Sequence, residues 1–137
     1  MESIREDARD VPVVHECDVC VIGGSCTGVF AAIVAARLGA RVAVMQKHGC
    51  LGGTATSSLV NCWHSTYNLE GTRTVIAGLT TETMARLKKR EAVIDRGNEL
   101  AWHYAFNSAE LTIELDELVK EAEVRPFLHA HFTAPAV

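Results

Sequence analysis

Val19, Val21 and Ile22 form a short apolar, largely β-branched run that breaks into Gly23, Gly24 and Gly28. An Ala-rich apolar segment follows as far as Leu38, and Gly39 closes it. The pattern predicts a strand over 17–22 and a helix over 26–38. Only Arg37 is charged in that helix, so it should be buried on most sides, between a sheet and another layer. The run from Arg41 to Gln46 predicts a second strand, parallel to the first. Residues 48–58, with Gly49, Gly52, Gly53, Thr54, Thr56, Ser57 and Ser58, form a loop rich in backbone donors and hydroxyls. Residues 59–64 suit a further strand, 67–72 a turn, and 74–76 the return from it.

Thr80 or Thr81 is expected to cap a helix that carries Glu82 in its first turn and ends near Arg90. Residues 91–107 fit no single pattern. Leu111, Leu115, Leu118, Val119 and Ala122 recur at helical spacing, which predicts an amphipathic helix over 108–122. Glu110, Glu114, Glu117 and Glu121 would be its solvated face. Residues 124–132 read as a third strand, and Pro126 places it at a sheet edge.

At 137 residues, 48% hydrophobic and 22% charged, the chain fits one globular domain, with residues 1–14 as a charged lead-in to a unit over 15–137. The formal net charge of −4 gives nucleic acid no general attraction. The basic cluster Lys88-Lys89-Arg90 is better placed as the last turn of a helix. No apolar run is long enough for a membrane span, and the charges in residues 1–14 are unlike a secretory signal. A cytoplasmic home with five free thiols is the expectation.

Strand, glycine turn and helix in this order make the first half of a βαβ nucleotide site. Small residues let the backbone approach a pyrophosphate, and the helix N-terminus presents free N–H groups with a partial positive charge. The dinucleotide pattern wants glycine at the positions of Gly23, Ser25 and Gly28, so Ser25 brings a Cβ to the place of closest approach. It also wants an acidic residue at the end of the second strand for the ribose hydroxyls, where this chain has Gln46 followed by Lys47. A glycine-containing turn in an unrelated α/β protein, or an NAD-binding turn, shares this spacing.

The second glycine loop narrows the choice. Val21-Ile-Gly-Gly-Ser-Cys-Thr-Gly-Val-Phe-Ala-Ala32, Ala35-Ala-Arg-Leu-Gly-Ala40, Gly52-Gly-Thr-Ala-Thr56 and Phe106-Asn-Ser-Ala-Glu-Leu-Thr-Ile-Glu-Leu-Asp116 together resemble the FAD-dependent oxidoreductase family of bacterial flavoproteins, in its xanthan-lyase-like group. The resemblance runs from about residue 17 to the C-terminus. It implies a Rossmann-like α/β fold with a parallel sheet in spatial order three-two-one, incomplete at its C-terminus, and FAD as cofactor. By resemblance, Gly23, Gly24, Ser25, Cys26, Thr27 and Gly28 form the pyrophosphate turn. Gln46 and Lys47 lie at the adenosine ribose, and Gly52, Gly53, Thr54 and Thr56 run along the flavin side. Relatives usually carry Glu at the place of Gln46.

In such flavoproteins the chain continues into a substrate domain, so this one is expected to be the N-terminal portion of a larger enzyme. It would need either the remainder of that enzyme or a homo-oligomeric partner. Val19, Val21 and Phe30 would then face solvent or another chain. The implied function is a flavin-dependent redox reaction on a small molecule, with no catalytic acid or base identifiable. The alternative is an inactive fragment or a stand-alone nucleotide-binding module.

Cys17-x-x-Cys20 has the spacing of a redox pair or of metal ligands. Residues i and i+3 of a strand point to opposite faces, so ordinary buried cysteines are expected there. Packing is likewise the expected role of Cys26, although a helix N-terminus lowers a thiol pKa. Cys50 lies beside the second glycine loop, where a flavin-proximal thiol is possible, but packing remains the expectation. Cys62, His64, His129 and His131 lack compact metal-ligand spacing. Trp63, Trp102 and Tyr104 are expected to pack.

Overall fold

The computed structural model describes residues 3, 7, 10–95 and 104–134. Trp102 with the rest of residues 96–103, half of the 1–14 lead-in and residues 135–137 lie outside the described residues. Strand β1 (Val19–Ile22), helix α1 (Cys26–Arg37) and strand β2 (Val42–Met45) form the expected βαβ opening. A single 3-10 turn, Gly53–Ala55, follows in the second glycine loop. Then come β3 (Cys62–Trp63), α2 (Leu79–Lys89), β4 (Val93–Asp95), β5 (Tyr104–Phe106), α3 (Ser108–Glu121) and β6 (Arg125–Phe127).

Two sheets result. The parallel one has the order β1-β2-β6, which is the three-two-one order, with Val19 opposite Val42 and Val44 opposite Pro126. Pro126 sits at the sheet edge, as its missing N–H requires. The strand around it is shorter than the pattern suggested, and the chain leaves the sheet after Phe127. The second sheet is antiparallel, in the order β3-β5-β4, and supplies the structure of the 91–107 stretch so far as it is described. Around residues 67–74 the turn is built by Asn68, whose Oδ1 accepts from the N–H groups of Thr72 (2.9 Å) and Arg73 (2.8 Å).

The core lies between the parallel sheet and the helices. Val29, Ala32 and Ile33 of α1 meet Val42 and Val44 of β2, and Leu111, Leu115 and Leu118 of α3 close the layer. Fully burying one such Leu contributes about 2 kcal/mol. α1 is less enclosed than its composition suggested: Val34 and Leu38 are exposed. Of the residues expected at the surface, Val19 is exposed while Val21 and Phe30 are half-buried. Phe30 meets the Trp63 ring edge-on, and Trp63 meets Phe106 in the same way.

Three local expectations are corrected. Helix α2 starts at Leu79, and its N-cap is Gly78, not Thr80 or Thr81. Gly78 adopts φ +70°, a conformation glycine takes without strain, and buried Leu79 anchors the first turn. Glu114 is not solvated. It is 2% exposed and pairs with Arg86 (3.2 Å) and Arg90 (3.0 Å) of α2. Glu121 and Glu117 pair with the same two arginines at 2.6 Å each, so the row of glutamates is the α2–α3 interface. Finally, β1 starts at Val19, after a bend at Asp18, so Cys17 is not on the strand and Cys20 is exposed rather than buried.

That bend is held by Arg41. Its N–H and Nε donate to one Asp18 oxygen (2.8 and 3.2 Å) and its guanidinium to the other (2.8 Å). The side-chain and backbone hydrogen bonds from Arg41 lower the Asp18 pKa to about 2. A carboxyl depressed in the folded state stabilises above its unfolded pKa of roughly 4, and the contribution disappears as pH falls through the folded value. Wild type should therefore melt higher than Asp18→Asn at pH 6. The difference should shrink to nothing between about pH 4 and pH 2. A difference unchanged at pH 2 would show that the carboxylate charge is not what holds the bend.

Candidate functional site

The carboxyl ends of β1 and β2 deliver both glycine segments to one place, where open α/β sheets bind ligands. Gly23 leaves β1 with its N–H donating to the Met45 carbonyl (2.8 Å) and turns at φ +103°. A Cβ built on it would meet nothing within 4 Å, so this side of the turn is open to a ligand. Gly24 is buried, and a Cβ there would lie 2.6 Å from Leu51 Cδ2 and 3.0 Å from Gln46 Cβ. Gly28 is the tightest position: a Cβ would stand 1.9 Å from the Gly23 carbonyl oxygen. Its bare backbone lets α1 start directly against the turn.

Ser25 caps α1, its Oγ accepting from the Gly28 N–H at a long 3.4 Å. Ser25 and Thr27 are exposed at the helix N-terminus, where the first N–H groups have no intrahelical acceptor. The second loop backs onto this turn. Gly52 donates its N–H to the Gly24 carbonyl (2.8 Å) and bridges to Ser25, and a Cβ on Gly53 would touch Ser25 at 3.2 Å. The Cys26 thiol donates to the Gly52 carbonyl (3.3 Å), and burial pushes its pKa up to about 11. Cys26 therefore packs as a neutral thiol, against the lowering a helix N-terminus alone would give.

Gln46 is 6% exposed and occupied by its own loop. Its Oε1 accepts from the Lys47 N–H (2.9 Å) and its Nε2 donates to the Cys50 carbonyl (3.4 Å). Lys47 is exposed at the rim. A cleft of about 340 Å³ opens beside them, lined by Ile22, Gly23, Gln46, Lys47, His131 and Phe132. Thr54 is exposed, whereas Thr56 is buried and turned inward, its Oγ1 donating to the Leu51 carbonyl (2.6 Å). Thr56 thus shapes the loop and offers no hydroxyl to a ligand.

Sequence reasoning missed Leu51, which fixes Gly24, and His131 and Phe132, which wall the cleft. The tail reaches it because Ala130 donates its N–H to the Gln46 carbonyl (3.0 Å), a backbone contact without a side-chain signal. His129, by contrast, packs its ring on Gly49. Among the described residues no three His, Cys, Asp or Glu side chains converge as a metal ion would need. Bare backbone at Gly23 and the open N-terminus of α1 have the chemistry to receive an anionic group.

A model of a family described as FAD dependent oxidoreductase matches residues 18–137. The dihydrolipoyl dehydrogenase of Trypanosoma brucei brucei is 48% identical over 46 residues, which is 34% of this chain and 10% of that protein. Among solved structures, THI4 of Thermovibrio ammonificans superposes with a TM-score of 0.53 at 18% identity, over 82% of this chain and 38% of that one. The Diels-Alderase PyrE3 of pyrroindomycin biosynthesis gives 0.54 at 15% identity, over 85% and 26%. At these identities the two structures speak for the fold alone. The chain spans well under half the length of each of these relatives.

Proposed function

Because the chain belongs to the FAD-dependent oxidoreductase family, we propose that its paired glycine turns hold the ADP half of FAD in a cytoplasmic enzyme acting on a small molecule, within the bacterial xanthan-lyase-like group. The observation that carries this reading is the Gly52–Gly24 hydrogen bond. It places the second glycine loop beside the N-terminus of α1, against the turn whose Gly23 lines the cleft.

When bound, FAD supplies hydride or single-electron transfer, and the protein binds, orients and tunes it. The residues here do the first two. Gly23 leaves room for the pyrophosphate, and the first N–H groups of α1, at Cys26 and Thr27, point toward it with the positive end of the helix dipole. Gly28 keeps that helix end close to the turn. Lys47 adds a cation at the rim, Ser25 stands in the pyrophosphate turn, and Gly53 and Thr54 line the way toward the flavin. The domain that would hold the substrate, over residues beyond this wall, and the partner that completes the enzyme are part of the same proposal.

Gln46 provides a sharp test. In Gln46→Glu one carboxylate oxygen keeps the Lys47 N–H, while the other is repelled by the Cys50 carbonyl and turns to the cleft. There it would accept from the ribose diol. Calorimetric titration should show ADP and FAD bound about fivefold more tightly by the variant, roughly 1 kcal/mol, the size of one net hydrogen bond. Heat of binding to neither nucleotide, from wild type and variant alike, would sink the proposal. Equal affinities would remove Gln46 from the ribose site.

A further inference from the structure

The sheet face opposite α1 carries Cys20, Met45 and Phe127, which follow from the strand registers. A second cleft, of about 660 Å³, opens on it. The segment before β1 crosses this face, with the His15 ring 5.5 Å from that of Phe127. Cys17 lies on that segment and Cys20 on the strand beneath it, and both line the cleft together with Arg41. The bend at Asp18 is what makes this possible. On a straight strand the two thiols would sit on opposite faces, but the chain bends at Asp18, where Arg41 holds it, and both thiols line the one cleft.

The groups around the thiols are mixed in charge. Arg41, itself paired with Asp18, stands on the cleft wall with His15 and Glu16. The Cys20 thiol is pushed up first by partial desolvation in the cleft, then by the charge of Cys17 and by a hydrogen bond with it. The two thiols therefore share one cleft, with the Arg41 side chain in the same wall. Cys26 packs against Gly52 and takes no part.

We propose that Cys17 and Cys20 form a redox dithiol that exchanges with small-molecule disulfides and closes to an intramolecular disulfide. The Cys17 thiolate attacks one sulfur of the disulfide RSSR, and RS⁻ leaves and takes up the proton that Cys17 lost. Cys20 gives up its proton and attacks the Cys17 sulfur of the mixed disulfide, expelling the second RS⁻, which is protonated in turn. Two protein thiols are oxidised and one RSSR is reduced to two RSH. Neither Cys17 nor Cys20 lines the nucleotide cleft, which meets this one at Met45 and Ala130, and the dithiol does not rest on FAD binding.

The experiment uses the native chain in a glutathione disulfide buffer, quenched with acid and alkylated before mass spectrometry. The oxidised chain should lose two hydrogen atoms in mass, with Cys17 joined to Cys20 in one peptide and Cys26, Cys50 and Cys62 alkylated. Cys20→Ser should instead accumulate a glutathione adduct on Cys17, because nothing resolves it. Circular dichroism checks that the variant is folded. Separate alkylation of Cys17 and Cys20 after oxidation, a linkage to any other cysteine, or no excess adduct on Cys17 in Cys20→Ser would overturn the proposal.

Discussion

Gly28→Ala should destabilise the protein by about 2–3 kcal/mol, the cost of forcing atoms into a packed site, and should abolish binding of FAD and ADP. The sign is the informative part. Inside a helix, replacing Gly by Ala ordinarily stabilises by about 1 kcal/mol, because glycine gives up more backbone entropy. Here the added methyl would stand 1.9 Å from the Gly23 oxygen and 3.1 Å from its carbonyl carbon. Both are backbone atoms, so only a shift of the whole turn relieves the clash. That shift moves the N–H groups proposed to meet the pyrophosphate. Urea unfolding gives the stability and calorimetry below the melting range gives the binding. A variant as stable as wild type would mean that α1 does not start against the turn.

Glu114→Ala should cost about 3 kcal/mol, since it removes the buried carboxylate that Arg86 and Arg90 share. The estimate sits at the lower end of the usual range because Arg86 keeps Glu121 and Glu82, and Arg90 keeps Glu117. Glu121→Ala at the exposed rim of the same network should cost less than about 1 kcal/mol. Denaturant midpoints of the two variants decide the matter. Equal losses would show that the buried position of Glu114 carries no special weight.

The opening βαβ unit was legible because its signal is local. The β-branched run, Gly23, Gly24 and Gly28, and the alanines of α1 lie next to one another in the chain, and their sizes dictate the close approach the structure shows. Pro126 announced an edge for the same reason. What stayed hidden depends on residues far apart. Glu114 reads as one of four solvated glutamates until Arg86 and Arg90 arrive from another helix. Thr56 has the composition of a ligand-binding loop, and only the path of residues 51–56 turns its hydroxyl inward. The error at Cys17 came from starting β1 two residues early. A strand cannot bring i and i+3 together, but a bend pinned by Arg41 can. The cleft's far wall, His131 and Phe132, depends on a backbone contact that no side-chain pattern encodes.

The two margins of the parallel sheet differ in a way that sets the direction in which it can be extended. Phe127 turns its carbonyl inward to the Gln46 N–H, so the alternation of a strand turns the Pro126 nitrogen outward. That nitrogen has no hydrogen to donate, and the β6 margin cannot complete a ladder. On the other margin, Val19 and Gly23 direct their N–H groups to β2, so Cys20 and Ile22 direct theirs away from it. Neither is proline or charged, and Ile22 is 50% exposed. A strand added to this sheet therefore finds a full set of donors and acceptors only beside β1, so the sheet is polarised for growth on that side.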